Sequence, residues 1–507
     1  MQKLAIEYLQ KTKDRFPQKI AVVDGRQRIT FLELWKNSIA LAYWINREFK
    51  ITNQPITVNI SKSIDTIIAF LAIQLSNNIY VPTDVEAPQD RNERILKSLK
   101  SDFVFKKKSG QLQLNRKTYD PPENFSDHPS LEAEVLNKLS SRNADDPLYI
   151  IFTSGTSGTP KGVTISNASV IDYIDWAVET YKISETEIIG NQAPFFFDNS
   201  VLDLHLMLAK GSTLHLLPKD ALRFPDTFRN YISENEINFI FFVPSVLNNL
   251  IALKALQGSE LTCLKKVLFA GEPMPINTLK SLRKGLPGAL LSNLYGPTEI
   301  TVDAIYWIFG DEINNLENVP LGIPCNNHNI LFLDENDKFV VNENETAEIC
   351  VAGPGVALGY WNEPELTRQA FIPDPKKQGQ FIYKTGDLGY VSSKDGLIYM
   401  TGRKDDQFKY LGYRIEPGEI ENALNRLDGI QQSCVFYDSH HKRIVAFYTA
   451  QQKNLPISFK EILSNMLPIY MIPHNYHLVD RFPMNQSGKI DRKKFWTSKM
   501  KADNATQ

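Results

Sequence analysis

Short unbroken apolar runs alternate along this chain with longer amphipathic stretches. LYIIFT (148–153), INFIFFVP (237–244) and KKVLFAG (265–271) are each bounded by Gly, Pro, Ser or Thr. Runs of this kind predict buried strands. Between them, apolar positions return at helical spacing over 227–236 and 246–256, which predicts helices. Strand and helix taken in turn predict an α/β protein whose layered sheets are largely parallel. The start, MQKLAIEYLQKTKDRF, reads as an amphipathic helix with charges throughout and lacks the apolar stretch of a signal peptide.

Residues 100–147 are polar and charged, and a surface connection is expected there. A second break is expected around 401–406 (TGRKDD), followed by a compact α+β segment to about residue 495 and a frayed tail, SKMKADNATQ. The predicted division is a large N-terminal domain over 1–402 and a small α+β C-terminal domain over 403–507.

Composition narrows this picture little. The 507 residues are 42% hydrophobic and 22% charged, ordinary values for a globular chain. A net charge of -2 gives no field that would recruit nucleic acid or a membrane surface. No run of 18 apolar residues predicts a membrane span, and a cytoplasmic location is expected. The four cysteines, Cys263, Cys325, Cys350 and Cys434, form no C-x-x-C pair and no zinc-type cluster, and idle or buried thiols are expected.

The chemistry begins after the strand at 148–153. Thr153, Ser154, Gly155, Thr156, Ser157, Gly158, Thr159, Pro160, Lys161 and Gly162 combine three glycines, four hydroxyls besides that of Thr153, and one lysine. Glycines let backbone N–H groups crowd an anion, and a lysine adds charge, so the loop is suited to the phosphates of ATP. It is not a Walker A loop, which ends Gly-Lys-Ser/Thr.

TSGTSGTPKG resembles the signature of the adenylate-forming superfamily: acyl-CoA synthetases, luciferases and the adenylation domains of nonribosomal peptide synthetases. Further motifs of that family follow in order: ITFLEL (29–34), NNIYVPTD (77–84), NLYGPTE (293–299), AEICVAGPGVALGYWNEPELT (347–367), YKTGDLGY (383–390), GRKDDQFKYLGYRIEPGEIE (402–421), LPIYMIP (467–473) and NQSGKIDRK (485–493). The resemblance covers nearly the whole chain. It implies the adenylate-forming enzyme fold, with a mobile C-terminal lid. It also implies ATP and Mg2+, and attack of a carboxylate on the α-phosphorus with loss of pyrophosphate.

The resemblance assigns roles residue by residue. Lys489 is the lysine that bridges the substrate carboxylate and phosphate oxygens. Glu299 is the Mg2+ carboxylate, Thr298 contacts the α-phosphate and Tyr295 stacks on adenine. Asp387 accepts the ribose hydroxyls with Arg403 beside it. Gly271, Glu272, Asn293, Gly296 and Tyr399 complete the ATP site. Asp405 is the hinge, and Lys409, Gly412 and Arg414 form the loop brought forward in the thioester-forming state.

FDNS (197–200) resembles the motif of amino-acid-activating members, in which Asp198 pairs with the substrate ammonium. A helix-capping aspartate is the bland alternative, since VLDLHLMLA follows. Carried onto this chain, the acid pocket is Asp198, Asn199, Leu202, Phe241, Leu268, Ala270, Leu294, Val302 and Asp303. Its small apolar lining resembles that of stand-alone prolyl-carrier-protein ligases, so L-proline is the expected substrate. Asn199 and Asp303 depart from that pattern and keep hydroxyproline, ornithine and arginine open, and D-alanine, activated by the related D-alanyl carrier ligases, is the small-substrate rival. Ala347 stands where the family has glycine. His205, in LDLHLML, is expected to pack or cap. With 18 residues after Lys489 and no phosphopantetheine serine motif, the acceptor is expected to be the thiol of a carrier protein supplied in trans. An acyl-CoA ligase for a plain acid is the competing enzyme, and a nucleotide-binding paralogue without activity the competing non-enzyme.

Overall fold

A computed structural model describes residues 3–119, 129–155, 159–256, 259–340, 342–450, 458–484 and 490–504. The chain divides into two compact units. The first comprises Met1–Val85, Leu96–Phe152 and Gly162–Lys404; the second comprises Glu86–Ile95, Thr153–Lys161 and Asp405–Gln507.

The first unit holds three sheets. In the largest, nine strands run in the order Ile323–Pro324, Ile305–Phe309, Leu290–Tyr295, Lys266–Phe269, Phe239–Phe242, Ile188–Asn191, Thr213–Leu216, Ile20–Asp24, Gln27–Thr30. Its centre is parallel and its edges are antiparallel. Parallel strands covered on both faces need apolar side chains in both directions, and the apolar runs at 237–244 and 265–271 supply them. Alternation then sorts those side chains. Phe241, Leu268, Ala270 and Leu294 fall in one core cluster, whereas Ile240, Phe242, Val267 and Phe269 fall in another on the opposite face. The predicted helices occur at Pro225–Glu234 and Pro244–Ala252, each opened by proline in its first turn, where the missing N–H is harmless.

The second sheet of this unit includes Pro147–Thr153, Lys161–Ser166, Ile79–Pro82, Pro55–Asn59 and Gly359–Tyr360. The third is built mainly from Ala347–Ala352, where Ala347 is buried, and Phe381–Val391, with Ile398–Arg403 paired to the latter.

Two expectations need correction. Residues 100–147 are more than a surface connection. Val104–Lys108, Gln111–Leu114 and Lys117–Thr118 extend the second sheet, and a helix spans Pro129–Leu139. The strands Val104–Lys108 and Gln111–Leu114 and the helix each bury a single apolar side, through Phe105, Leu114, Val135 and Leu139, so their mean polarity hides them. The helix Arg492–Asn504 runs through the first part of the tail expected to fray, and residues 505–507 lie outside the described residues.

The second unit carries a hairpin, Phe408–Tyr410 with Tyr413–Ile415, and a three-stranded sheet of Ile430–Asp438, Arg443–Ala450 and Asn475–Leu478. Its core joins Ile415, Ile420, Leu424, Val435, Ile444, Leu463 and Met471. Among the described residues no helix is long and apolar enough to cross a membrane. All four cysteines are free; Cys325, Cys350 and Cys434 are buried, and burial pushes their thiols upward.

Candidate active site

The site of the first unit is built where strands of the nine-stranded sheet end. Leu290–Tyr295 delivers Asn293, Leu294 and Tyr295; the chain then turns through Gly296-Pro297 into a short 3-10 helix, Thr298–Ile300. A β-carbon on Gly296 would lie 2.3 Å from the carbonyl oxygen of Val302 and 2.6 Å from the Cα of Asp303, so only glycine lets the turn close on itself. Asn293 donates to the carbonyl of Pro320 at 2.8 Å.

Glu299 is completely buried, and the hydroxyl of Tyr360 donates to its Oε1 at 2.8 Å. The N–H of Ala357 donates to the Glu299 carbonyl at 2.9 Å. Thr298 lies buried beside it. Among the described residues no three of His, Cys, Asp and Glu cluster as a ready-made cation cage. One carboxylate with hydroxyl neighbours is nevertheless a fitting donor set for Mg2+, which takes few protein ligands and keeps water and phosphate oxygens.

Asp387 sits in Phe381–Val391 opposite Arg403 of the neighbouring strand. Arg403 pairs with its Oδ1, and the Tyr295 hydroxyl donates to Oδ2 at 2.5 Å. Burial and the adjacent Asp387 charge drive the Tyr295 phenol well above its ordinary value, so Tyr295 is a neutral donor. The three residues assigned to adenine and ribose thus form one connected group. Tyr399 stacks on Tyr390 (centroids 5.7 Å apart) and donates its hydroxyl to Asp395 at 2.9 Å. Glu272 accepts from the N–H of Ser245 at 2.8 Å, next to Gly271 with φ of +94°.

Of the residues expected to line the acid pocket, Leu202, Phe241, Leu268, Ala270, Leu294 and Val302 all belong to the large apolar core of the first unit. Phe241 is registered against Leu268, and Leu268 against Ser292, two residues before Leu294. Leu202 and Asn199 reach it from the helix Asn199–Lys210. Asp198 precedes that helix with αR dihedrals and makes no side-chain capping bond. Its side chain is half-buried, whereas Asn199 is buried. Asp198 lies close enough to Tyr149 for its charge to help raise that buried phenol, after burial itself and Tyr80.

Asp303 is buried, and its Oδ2 accepts a hydrogen bond from Tyr173 at 2.7 Å. Nearby, Tyr181 and Ser292 share a hydrogen bond of 3.0 Å. Tyr173 lies on the helix Asn167–Thr180, in a stretch with no motif, and sequence reasoning missed it. Tyr360 was equally missed, although its GYW context lay within a recognised motif.

The helix bearing Asp198 is anchored by buried polar groups. Lys62 donates to Asn191 Oδ1 and to the carbonyls of Asn191 and Gln192 at 3.1–3.2 Å, and Asn191 donates to Asp203 at 2.8 Å. Burial raises Asp203 to about 7 and lowers Lys62 to about 8. His205 is buried, pairs with the carbonyl of Val201 at 2.9 Å and is lowered to about 4 by burial, so it packs as a neutral ring.

In the second unit, Thr153 and Ser154 are buried, and Ser154 donates to the carbonyl of Arg414 at 2.7 Å. A β-carbon on Gly155 would lie 2.1 Å from the carbonyl oxygen of Thr159, so the loop closes tightly there. Thr156, Ser157, Gly158 and Lys489 lie outside the described residues. Lys409 and Arg414 stand opposite each other in the hairpin, whose turn places Leu411 at φ 52° and Gly412 at φ 81°. Two successive positive φ values match the hairpin's natural twist. Glu416, not singled out from sequence, is raised mainly by burial, against the lowering charges of Arg414 and Lys161. Asp405 begins the unit's main segment, and its Oδ1 accepts from the N–H of Gln407 at 3.3 Å.

Comparison with known proteins agrees with this geometry. Residues 9–361 match the family described as AMP-binding enzyme, and residues 419–489 match the AMP-binding enzyme C-terminal domain. The D-alanine--D-alanyl carrier protein ligase of Bacillus cytotoxicus is 31% identical over 506 residues, covering 96% of this chain and 98% of the relative. Tyrocidine synthase 1 of Brevibacillus parabrevis is 31% identical over 484 residues, 95% of this chain but 44% of that longer protein. Among solved structures, the Vibrio cholerae adenylation domain AlmE in complex with glycyl-adenosine-5'-phosphate superposes with a TM-score of 0.82 at 19% identity, covering 100% of this chain and 98% of that one. An NRPS protein containing adenylation and PCP domains gives 0.80 at 21% identity, covering 98% and 84%. The fold, the site and the family match lead to one identification: the chain belongs to the AMP-binding enzyme family, the adenylate-forming enzymes that use ATP with Mg2+.

Proposed function

We propose that this enzyme activates an amino acid as its aminoacyl-adenylate and transfers the aminoacyl group to the phosphopantetheine thiol of a separate carrier protein. The observation that carries the reading is Asp198. It is half-buried, makes no side-chain capping bond and stands at the head of a helix whose Leu202 belongs to the large apolar core of the first unit. A carboxylate in front of an apolar pocket fits the ammonium of an amino acid and has no use for a plain acid.

In this reading Asp198 binds the ammonium, and Asn199, Leu202, Phe241, Leu268, Ala270, Leu294, Val302 and Asp303 receive the side chain. Tyr295, Asp387 and Arg403 hold the nucleoside, with Gly271, Glu272, Asn293, Gly296 and Tyr399 around it. Thr298 and the loop from Thr153 to Lys161 hold phosphate oxygens. Glu299 holds Mg2+, which would neutralise phosphate charge as pyrophosphate leaves. Lys489 approaches the reacting carboxylate. Asp405 is the hinge on which the segment Asp405–Gln507 turns for the thioester step, with Lys409, Gly412 and Arg414 meeting the incoming arm.

The small apolar lining favours L-proline, whose secondary ammonium offers Asp198 two N–H donors. D-alanine is the second reading, favoured by full-length relatives that carry that name. Asp303 distinguishes these from larger polar substrates: held by Tyr173, it fits a pocket wall, and Asp303→Ala should then alter the amino-acid preference while keeping adenylation. Loading is tested by incubating the enzyme with labelled proline or D-alanine, ATP and a carrier protein with its phosphopantetheine arm. ATP-dependent label on the carrier supports the reading; no label on the carrier, with label appearing on coenzyme A instead, overturns it.

A further inference from the structure

Thr301 and Val302, between Glu299 and Asp303, both adopt left-handed backbone conformations, with φ of 59° and 71°. Both are β-branched, the side-chain type least suited to that region. Such a pair persists only where its surroundings over-determine it.

Those surroundings are specific. The Thr301 hydroxyl, fully buried, donates to the carbonyl of Gly355 at 2.8 Å. Two residues further along, the N–H of Ala357 donates to the Glu299 carbonyl. On the other side, the N–H of Ala304 donates to the Tyr295 carbonyl at 2.8 Å. Gly355 is pressed close: a β-carbon there would lie 2.4 Å from His328 Nε2 and 2.8 Å from the Ile300 carbonyl oxygen. The segment 353–357, part of a motif to which no chemistry has been given above, therefore lies against the turn that presents Val302 and Asp303.

We propose that Thr301 is a positioning residue for the acid pocket: its hydroxyl bond to Gly355 locks the left-handed pair and thereby fixes where Val302 and Asp303 stand against the substrate side chain. This rests on the reading of those two residues as pocket residues. Thr301 does not touch substrate; it sets amino-acid fit through its neighbours, and its hydroxyl bonds to the Gly355 carbonyl rather than to a side chain of Tyr295, Asp387 or Arg403.

The test is amino-acid-dependent ATP–pyrophosphate exchange by the full chain and by Thr301→Val, Thr301→Ser and Thr301→Gly. Valine keeps the shape and loses the hydroxyl; serine keeps the hydroxyl. Glycine loses the hydroxyl but tolerates the conformation, which guards against a valine variant that fails to fold. The expected result is a KM for the preferred amino acid raised roughly three- to tenfold in the valine or glycine variant, the factor one ordinary hydrogen bond carries. Discrimination against the next-best amino acid should shrink, the KM for ATP should hold, and serine should restore both. A KM for amino acid unchanged in the valine and glycine variants, or a KM for ATP rising in parallel, overturns the inference alone. A wild-type enzyme without amino-acid-dependent exchange overturns the underlying reading, and the inference with it.

Discussion

The two ends of the site in the first unit are held in different ways. At the end proposed to hold the nucleotide, Tyr295 and Arg403 both bond to Asp387, and Tyr360 bonds separately to Glu299, each donor aimed at a named oxygen. At the end proposed to hold the acid, Leu202, Phe241, Leu268, Ala270, Leu294 and Val302 are held by packing, with polar groups beside them in Asp198 and in the Tyr173–Asp303 and Tyr181–Ser292 pairs. A nucleotide presents the same oxygens whatever acid is activated, so directional partners can be fixed. An acid pocket must change with its substrate, and apolar residues of similar volume exchange at low cost. On the proposed assignment, specificity resides in residues whose neighbours, rather than whose own chemistry, decide their place.

The largest expected effect falls on the acid end alone. Asp198→Ala should cost about 2–5 kcal/mol of amino-acid binding, the usual range for losing one partner of a buried charge pair. Calorimetric ATP affinity should be unchanged; a parallel loss of ATP binding would mean the two ends are not separable. Next, Lys489→Ala should lower adenylate formation about 10²–10³-fold, as expected for removal of a preorganised cationic donor. Its ATP affinity should remain near normal, and near-normal turnover would remove Lys489 from the mechanism.

A smaller effect should mark the nucleotide end. Tyr360→Phe removes the donor to Glu299 Oε1 and should raise the Mg2+ concentration needed for half-maximal ATP binding roughly three- to tenfold. The order of preference among amino acids should not move; if it does, Tyr360 serves the acid end.

The smallest effect concerns stability. Asp203 has a folded value of about 7 against an ordinary 3.8, so the folded state keeps a proton that the unfolded chain has released. This group's contribution to stability therefore falls as pH rises from about 4 through 7. Lys62, lowered to about 8 by burial, acts with the opposite slope, and only above that pH. Asp203→Asn should remove the acid-side fall, so the wild type's urea midpoint should drop relative to the variant's between pH 5 and 7. Parallel curves would show that Asp203 does not titrate there.

Much of the nucleotide end was legible because its residues lie in short motifs: NLYGPTE delivers Tyr295, Thr298 and Glu299 within a few positions, and YKTGDLGY delivers Asp387. The buried strands at 148–153, 237–244 and 265–271 were legible because a parallel sheet demands unbroken apolar runs. The helix before residue 140 was not, because it buries one narrow face among polar residues. Contacts across long separations were equally hidden. Tyr173 meets Asp303 across 130 positions, and Tyr360 meets Glu299 across 61. Asp198 stood between two readings in sequence, helix cap and ligand group; its side chain makes no capping bond, and the ligand role is the one proposed.

The central claim is activation of an amino acid, and ATP–pyrophosphate exchange tests it most directly. L-proline, D-alanine, hydroxyproline, ornithine and arginine would be compared with acetate and hexanoate. Exchange driven by proline or D-alanine, and absent with the two plain acids, is the predicted result. Exchange with acetate or hexanoate and with none of the amino acids would contradict the account and return Asp198 to a structural role.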